Sequence, residues 1–567
     1  MHDLRAPPWY RRTLAAVLAA GVLLRLAQYL SNQSLFVDEA MLSLNIASRS
    51  WLDLLAPLDY GQTAPVPFLW AERLAIAVGG VNAFALRAIP LLAGLALPFV
   101  TWRFSRRLLG AREALLATAF AAVSPILIQF SAMVKPYVID ALVAVVLADF
   151  ALDVITTPES SKAWVRLLAA GVVGLLVSIP ALFVLGGVWA ALALAPSVRQ
   201  GPGHRVRLGL ATLLWGTVFT VQYLLLYRPV ATSPYMHEYW ADSFLAPGAP
   251  DLARHTWLAA EYLLLNAFVG SRPQAWAVVL FLLFLAAGVW ALARRRGLWA
   301  AALAAGAVAA AVGASAVERY PVAPRMMVFA VPYLALLLAA GFGATADAMR
   351  RPFPYSSWAV ALLAIGWLLV PFERDLRRPY RADGVRPLAA QVARERDGSA
   401  PGRQPDVPVY VYAAAVPAWA FYTTDWSAPD TARLRFLARV ASPGGPAFHN
   451  AAGRPAGRVV EGEGRHLVVR TAMYWELIGT PPGTQYRELT RWSQESPDPG
   501  WAENEAARIR ATGARQVWVV TATSRTEPID RLRRALGQLG AVEEFGRLER
   551  NARLYRYRFL QQPDGPQ

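Results

Sequence analysis

Apolar runs close to 18 residues long recur through the first two-thirds of the chain, near 13–30, 84–102, 113–130, 137–155, 165–178, 181–196, 208–226, 275–293, 298–316, 326–344 and 358–372. No other feature restricts the fold as strongly. In hydrocarbon such a run satisfies its backbone only by closing its hydrogen bonds internally, as a helix. Bulk composition agrees, with 56% hydrophobic residues, 17% charged residues and a mean hydropathy of +0.32. The chain reads as a polytopic α-helical membrane protein. Its net charge of +17 does not imply a nucleic-acid partner. The basic residues sit in short clusters between apolar runs, the pattern of a membrane protein with positive loops on one side, and no nucleic-acid-binding motif accompanies them. Cysteine is absent, which excludes disulfides, thiolate nucleophiles and cysteine metal sites. Lysine occurs only at Lys135 and Lys162.

Six basic clusters set the expected threading: Arg11/Arg12; Arg103/Arg106/Arg107/Arg112; Lys162/Arg166; Arg199/Arg205/Arg207; Arg294/Arg295/Arg296; and Arg350/Arg351. Placing all six in the cytoplasm puts the N-terminus inside and every intervening turn outside. The first run reads as a retained helix, because no small-residue cleavage site follows it. The stretch "VPFLWAERLAIAVGG", residues 66–80, is too short to span and carries Glu72 and Arg73 mid-run. A charge at mid-bilayer costs roughly 2.5–3.5 kcal/mol, so this stretch reads as a helix lying in the outer interface. The count then closes at about eleven transmembrane helices in residues 1–372. Residues 165–178 and 181–196, broken at Pro180, form a thin hairpin on this reading.

Residues 373–567 are polar, Pro/Gly-rich and free of long apolar runs. "VPVYVYAAA" and "RQVWVVTAT" read as buried strands, and "IDRLRRALGQLG" as an amphipathic helix closed by glycine. This is a C-terminal soluble α/β domain, extracytoplasmic if the count holds. Its "GEGRH" glycines do not follow a strand and open a helix, so no phosphate loop is expected.

Four outer segments then face one another. The first carries Asp38, Glu39, Asp53, Asp59, Tyr60 and "GQTAPVPF"; the second is "FSAMVKPYVID", with Lys135, Tyr137 and Asp140. The third is aromatic, "YRPVATSPYMHEYWADSF", with Arg228, His237 and Glu238; the fourth is "VERYPVAPRMM", with Arg319, Tyr320 and Arg325. An outer-leaflet phosphate needs a fixed cation. A sugar hydroxyl needs a carboxylate as base near its point of attack. Both residue types are present, and Arg87 lies at the outer end of another apolar run.

Each candidate has a plain alternative. Asp38 and Glu39 could be a solvated loop pair, and Arg325 and Lys135 could snorkel to head groups. Asp140 lies just inside an apolar run, where a carboxylate implies function and a partner. Asp149 and Asp153 lie deeper and read as structural pairs. His237 and Glu238 read as loop residues, since one local histidine is a thin basis for a metal site. No motif requires a cofactor, and a divalent metal stays open.

The order of four stretches resembles the GT-C membrane glycosyltransferases: "FVDEAMLSL", "GQTAPVPFLW…FALRAIPLLAG", "FSAMVKPYVIDAL" and "YPVAPRMMVFAVPYLALLLAAG". Within that class the chain is similar to the bacterial branch of protein O-mannosyltransferases, lipid A aminoarabinose transferases and Rgt-type lipopolysaccharide sugar transferases. The resemblance covers roughly residues 10–345. It implies a GT-C-like fold and an inverting transfer from a polyprenyl-phosphate-linked sugar donor to an envelope acceptor (protein, glycan or lipid) at the outer face of a bacterial inner membrane. By the same resemblance Asp38 is the catalytic base and Glu39 an assisting group; the threading and the charge argument make Lys135, Tyr137, Asp140, Arg87, Tyr320 and Arg325 the substrate-binding residues. Thr63-Ala64-Pro65-Val66-Pro67 stands where mannosyl- and aminoarabinose-transferases often have His-Pro-Pro, and Lys135 where many relatives carry arginine. Two other classes compete: a transporter or flippase of lipid-linked sugars, and a non-catalytic envelope scaffold. A transporter should show repeated halves with matching interrupted helices, and no such repeat is visible in the sequence.

Overall fold

The computed structural model describes residues 7–396 apart from 59–61, 233, 249–251, 270–274, 351–355 and 382–383; beyond these it describes 407, 409–411, 415–424, 426, 448–449, 455–457, 501–511, 513–522 and 527–560. Asp59, Tyr60 and the "GEGRH" glycines lie outside the described residues.

The apolar runs are helices. α1 (Pro8–Leu30) opens on a proline in its first turn, where the missing N–H costs nothing. α2 (Val37–Ser48) and α3 (Val66–Gly79) form the first loop, α3 being the helix expected at 66–80. A short turn, α4 (Ala83–Leu86), leads into α5 (Ala88–Leu108). The run at 113–130 is not one helix but two, α6 (Ala111–Ala122) and α7 (Pro125–Phe130). Pro125 has no N–H to donate to Ala121, which frees that carbonyl. Arg25 of α1, fully buried, takes it over, with Nη2 3.2 Å from the Ala121 oxygen and Nη1 2.7 Å from that of Ala122. α8 (Tyr137–Thr156) and α9 (Ser161–Val177) follow, then α10 (Ala181–Leu194). Asp149 and Asp153 of α8 pair with Arg103, Arg107 and Arg166, a structural charge network.

Further on, Pro202–Gln222 runs into a π-helical turn at Tyr223–Tyr227. The third outer segment, expected as a loop, holds a helix, Leu252–Phe268, whose charged residues (Arg254, His255, Glu261) hide its apolar face in the sequence. Ala275–Arg296, Leu298–Ala316 and Val331–Arg350 are long apolar helices. The last, Ser356–Arg377, is longer than the expected 358–372 because its final turns are charged. Among the described residues, six helices are long and apolar enough to cross a membrane. Glycines let two pairs of helices touch backbone to backbone. A Cβ on Gly341 would lie 1.9 Å from the Phe284 oxygen, and one on Gly187 would lie 2.7 Å from the Ala307 nitrogen.

The C-terminal region is a four-stranded sheet of β1 (Val409–Val411), β2 (Gln516–Ala522), β3 (Ala541–Glu549) and β4 (Ala552–Phe559), in the order β1-β2-β4-β3. β1 pairs parallel to β2 and the other pairs are antiparallel. Alternation gives it two apolar faces. Val517, Val519, Tyr555 and Tyr557 pack under helices Trp501–Ala511 and Glu527–Gln538. Trp518, Val520 and Leu554 face the other way, into a core shared with Leu388, Trp419 and the first loop's Leu35, Leu42 and Leu44. The sheet and the Asp38 segment therefore belong to one apolar core.

Candidate functional site

Asp38 and Glu39 lie in the first turn of α2, where carboxylates favour the helix dipole. They point to different environments. Glu39 is the third residue of the helix and accepts from the Phe36 N–H at 3.0 Å, closing the N-terminus. The Arg87 guanidinium forks onto it, with Nε and Nη2 each 3.1 Å from Oε1 and Nη2 3.2 Å from Oε2. The Val134 N–H adds a further bond at 3.0 Å. Glu39 and Arg87 are both fully buried. Arg87 spends its remaining donors on the Gln33 and Ser34 carbonyls. The expectation that Arg87 binds substrate and that Glu39 assists the base therefore meets a different geometry: the two satisfy each other and tie α2 to the Lys135 loop.

Asp38 is half-open, with its side chain 26% exposed, and its Oδ2 lies 2.7 Å from Arg325 Nη1. Arg325 donates from Nη2 to the Tyr239 hydroxyl at 2.8 Å, and its guanidinium lies 4.7 Å from the Trp240 ring centre, within cation–π range. Lys135 donates to Gln62 Oε1 at 2.8 Å. Burial pulls the Lys135 ammonium below the usual lysine value; Asp38 opposes that shift and Arg325 adds to it. The first, second, third and fourth segments thus meet around Asp38, Lys135, Tyr239 and Arg325.

The other expected site residues stand around this centre. Tyr137 packs its ring edge on Phe130, 4.9 Å between centres, within electrostatic reach of Arg325 and Asp38. The Tyr320 hydroxyl is already used: it donates to the Met326 carbonyl at 2.7 Å, bracing the loop that carries Arg325. Asp140 is buried beside Ser178, with Oδ1 lacking a hydrogen-bond partner among the described residues. Asp53 is exposed and closes a local turn with Ser50, whose side-chain and backbone hydrogen bonds hold its carboxyl below the usual range. His237 pairs with Glu318 at 3.2 Å. Among the described residues no three His, Asp or Glu side chains gather as a metal cluster.

Sequence reasoning passed over Gln62, Tyr239 and Trp240. The aromatic density of "PYMHEYW" was the available signal for the last two. Gln62, the acceptor of Lys135, also lines an apolar groove formed by Leu54, Leu58, Leu69, Leu225 and Tyr227. The π-helical turn aims Leu225 and Tyr227 into that groove.

Residues 63–223 match the dolichyl-phosphate-mannose-protein mannosyltransferase family. That match includes Lys135, Tyr137 and Asp140 and leaves out Asp38 and Arg325. Two crystal structures of ArnT from Cupriavidus metallidurans align along almost the whole chain. The apo state covers 98% of this chain and 99% of its own, at 14% identity and TM-score 0.50. The state bound to undecaprenyl phosphate covers 99% of each chain at 13% identity, again with TM-score 0.50. The chain therefore shares the fold of ArnT. Archaeal oligosaccharyltransferase AglB from Archaeoglobus fulgidus, in complex with an inhibitory peptide and a dolichol-phosphate, covers 97% of this chain and 74% of its own at 13% identity and TM-score 0.49. No curated protein matches the chain by sequence. The centre around Asp38 lies where the first loop, the Lys135 loop and the Arg325 loop meet.

Proposed function

We propose that the chain is an inverting glycosyltransferase that moves a sugar from a polyprenyl-phosphate donor to an envelope acceptor at the outer face of the inner membrane. One observation carries this reading: a half-open carboxylate, Asp38, pairs with Arg325 within electrostatic reach of a second cation, Lys135, which donates to Gln62 in the lining of an apolar groove. The fold shared with ArnT, the mannosyltransferase family match and the undecaprenyl phosphate in one ArnT structure support it.

Asp38 takes the proton from the acceptor hydroxyl. The acceptor oxygen forms a bond to the anomeric carbon while the bond from that carbon to the phosphate oxygen breaks. The electron pair leaves on the phosphate, which Arg325 and Lys135 neutralise, and attack opposite the leaving group inverts the anomeric centre. Electrostatic stabilisation of a leaving anion by fixed donors is the larger part of such catalysis. The aromatic wall of Tyr239 and Trp240 holds the guanidinium in place, and the groove takes the first isoprenoid units.

In the free protein Asp38 occupies the Arg325 fork. A donor phosphate competes with Asp38 for that guanidinium. The two cations supply the positive charge the leaving phosphate needs, so on this reading no metal is required for the step.

The experiment is mass spectrometry of envelope glycans, lipids and glycoproteins from cells with and without this protein. The reading expects one sugar modification to vanish with the protein. An unchanged envelope contradicts it.

A further inference from the structure

The stretch between α1 and α2, residues 31–36, has neither helix nor ladder to satisfy its backbone, so its polar groups must find partners elsewhere. Inside the membrane region it has Arg87, which serves the Gln33 and Ser34 carbonyls, and the Glu39 cap on the Phe36 N–H. Its two ends bond locally, Ser31 and Asn32 to α1 and the Phe36 carbonyl to Ala40, and between them three partners come from the other end of the chain. Arg386 Nη1 donates to the Asn32 carbonyl at 3.1 Å, and the Arg386 N–H donates to Ser34 Oγ at 3.2 Å. The Leu35 N–H, on a fully buried residue, donates to the Tyr422 hydroxyl at 2.8 Å. Helices Val385–Arg396 and Val416–Thr423 carry these partners, and their Leu388, Ala389, Trp419 and Phe421 pack in the same core as Leu35 and α2.

We propose that the C-terminal domain is a working part of the transfer site: it clamps residues 32–35 and so sets where Asp38 stands, with Tyr422 as the positioning residue. This rests on the reading of Asp38 as the base. Tyr422 touches no reacting atom. It acts through Leu35, three residues ahead of Asp38 and directly before the residue that caps α2. The Asp38 carboxylate must meet an acceptor hydroxyl, and a displacement of about 1 Å at such a group can cost on the order of 10²-fold in rate. Truncating the Tyr422 hydroxyl leaves the Leu35 N–H buried without an acceptor, a penalty relieved only if the segment moves. The fold therefore couples the C-terminal domain to the chemistry through the backbone of residues 32–35.

The test uses the full chain carrying Tyr422→Phe, Asp38→Asn or both, expressed at matched levels in cells lacking the native copy. The initial rate of sugar appearance in the envelope is read by mass spectrometry, beside the affinity of each purified variant for undecaprenyl phosphate. Tyr422→Phe should slow transfer roughly tenfold, leave the affinity within about twofold, and add nothing to the loss caused by Asp38→Asn. Normal transfer by Tyr422→Phe overturns the clamp, and so does a loss of transfer matched by an equal loss of affinity. Normal transfer by Asp38→Asn is a separate outcome that sinks the base reading. If Tyr422→Phe does not fold, Ser34→Ala replaces it, removing only the oxygen that accepts from the Arg386 N–H. Slower transfer at unchanged affinity then supports the clamp, and a normal rate overturns it.

Discussion

Two adjacent carboxylates, Asp38 and Glu39, do different work because a helix start separates them. Glu39 turns back to cap α2 and meets Arg87 in a dry, fully hydrogen-bonded pair. Removing one member of a buried pair costs about 3–5 kcal/mol, because the other charge stays uncompensated. Glu39→Gln should therefore lower the thermal midpoint in detergent by many degrees, and Arg87→Leu with it. A variant that melts like the native chain and loses only activity would show Glu39 acting in the chemistry instead. Arg325 makes the opposite case, because its partners are half-open and exchangeable. Its planar fork suits phosphate oxygens, and a lysine replaces the charge but not the geometry. Charge-assisted hydrogen bonds contribute about 1.5–3 kcal/mol, so Arg325→Ala should weaken undecaprenyl phosphate binding by about 10- to 100-fold and Arg325→Lys by less. Isothermal titration of the purified protein measures this. Unchanged affinity would leave Arg325 as a snorkelling side chain.

At the scale of elements, most helices were legible because long apolar runs have one solution in a membrane. The same rule is blind to interruptions. The break between α6 and α7 depends on Pro125 together with a distant Arg25 that caps the freed carbonyls, and no local pattern announces that partnership. The helix at Leu252–Phe268 was missed because its charges broke the apolar run. The convergence of Asp38, Lys135 and Arg325 was readable from loop order and charge, whereas the pairing of Glu39 with Arg87 needed geometry. Close helix crossings were also invisible in the sequence, because a glycine in an apolar run says little about its neighbour. Where Ala275–Arg296 meets Val331–Arg350, Gly341 lets the backbone of Phe284 approach to a distance no side chain tolerates. Gly341→Ala must push the two helices apart, at about 1–3 kcal/mol for an overpacked contact. Fluorescence-detected thermal unfolding should show a lower midpoint for Gly341→Ala and an equal or higher one for Gly313→Ala, since a Cβ on Gly313 meets nothing within 4 Å and alanine favours a helix interior. Equal midpoints would contradict a backbone contact at this crossing.

For the whole molecule, composition divided the chain near residue 372, yet the helix there continues to Arg377 and the domain beyond shares a core with the first loop. Composition sees solubility, while packing decides what moves together. From the alternation of basic clusters we expect this domain outside the cytoplasm. A reporter active only outside the cytoplasm, fused after Gln567, should be active, and activity of a cytoplasmic reporter alone would reverse the threading. The claim that joins all scales is that Asp38 is the base of a lipid-phosphate glycosyl transfer. Its most direct test is Asp38→Asn, which keeps size and removes basicity, assayed by mass spectrometry for transferred sugar and by titration with undecaprenyl phosphate. We expect transfer to fall by roughly 10²-fold or more, the scale of losing a general base, with lipid-phosphate binding retained; transfer at the native rate would contradict the claim.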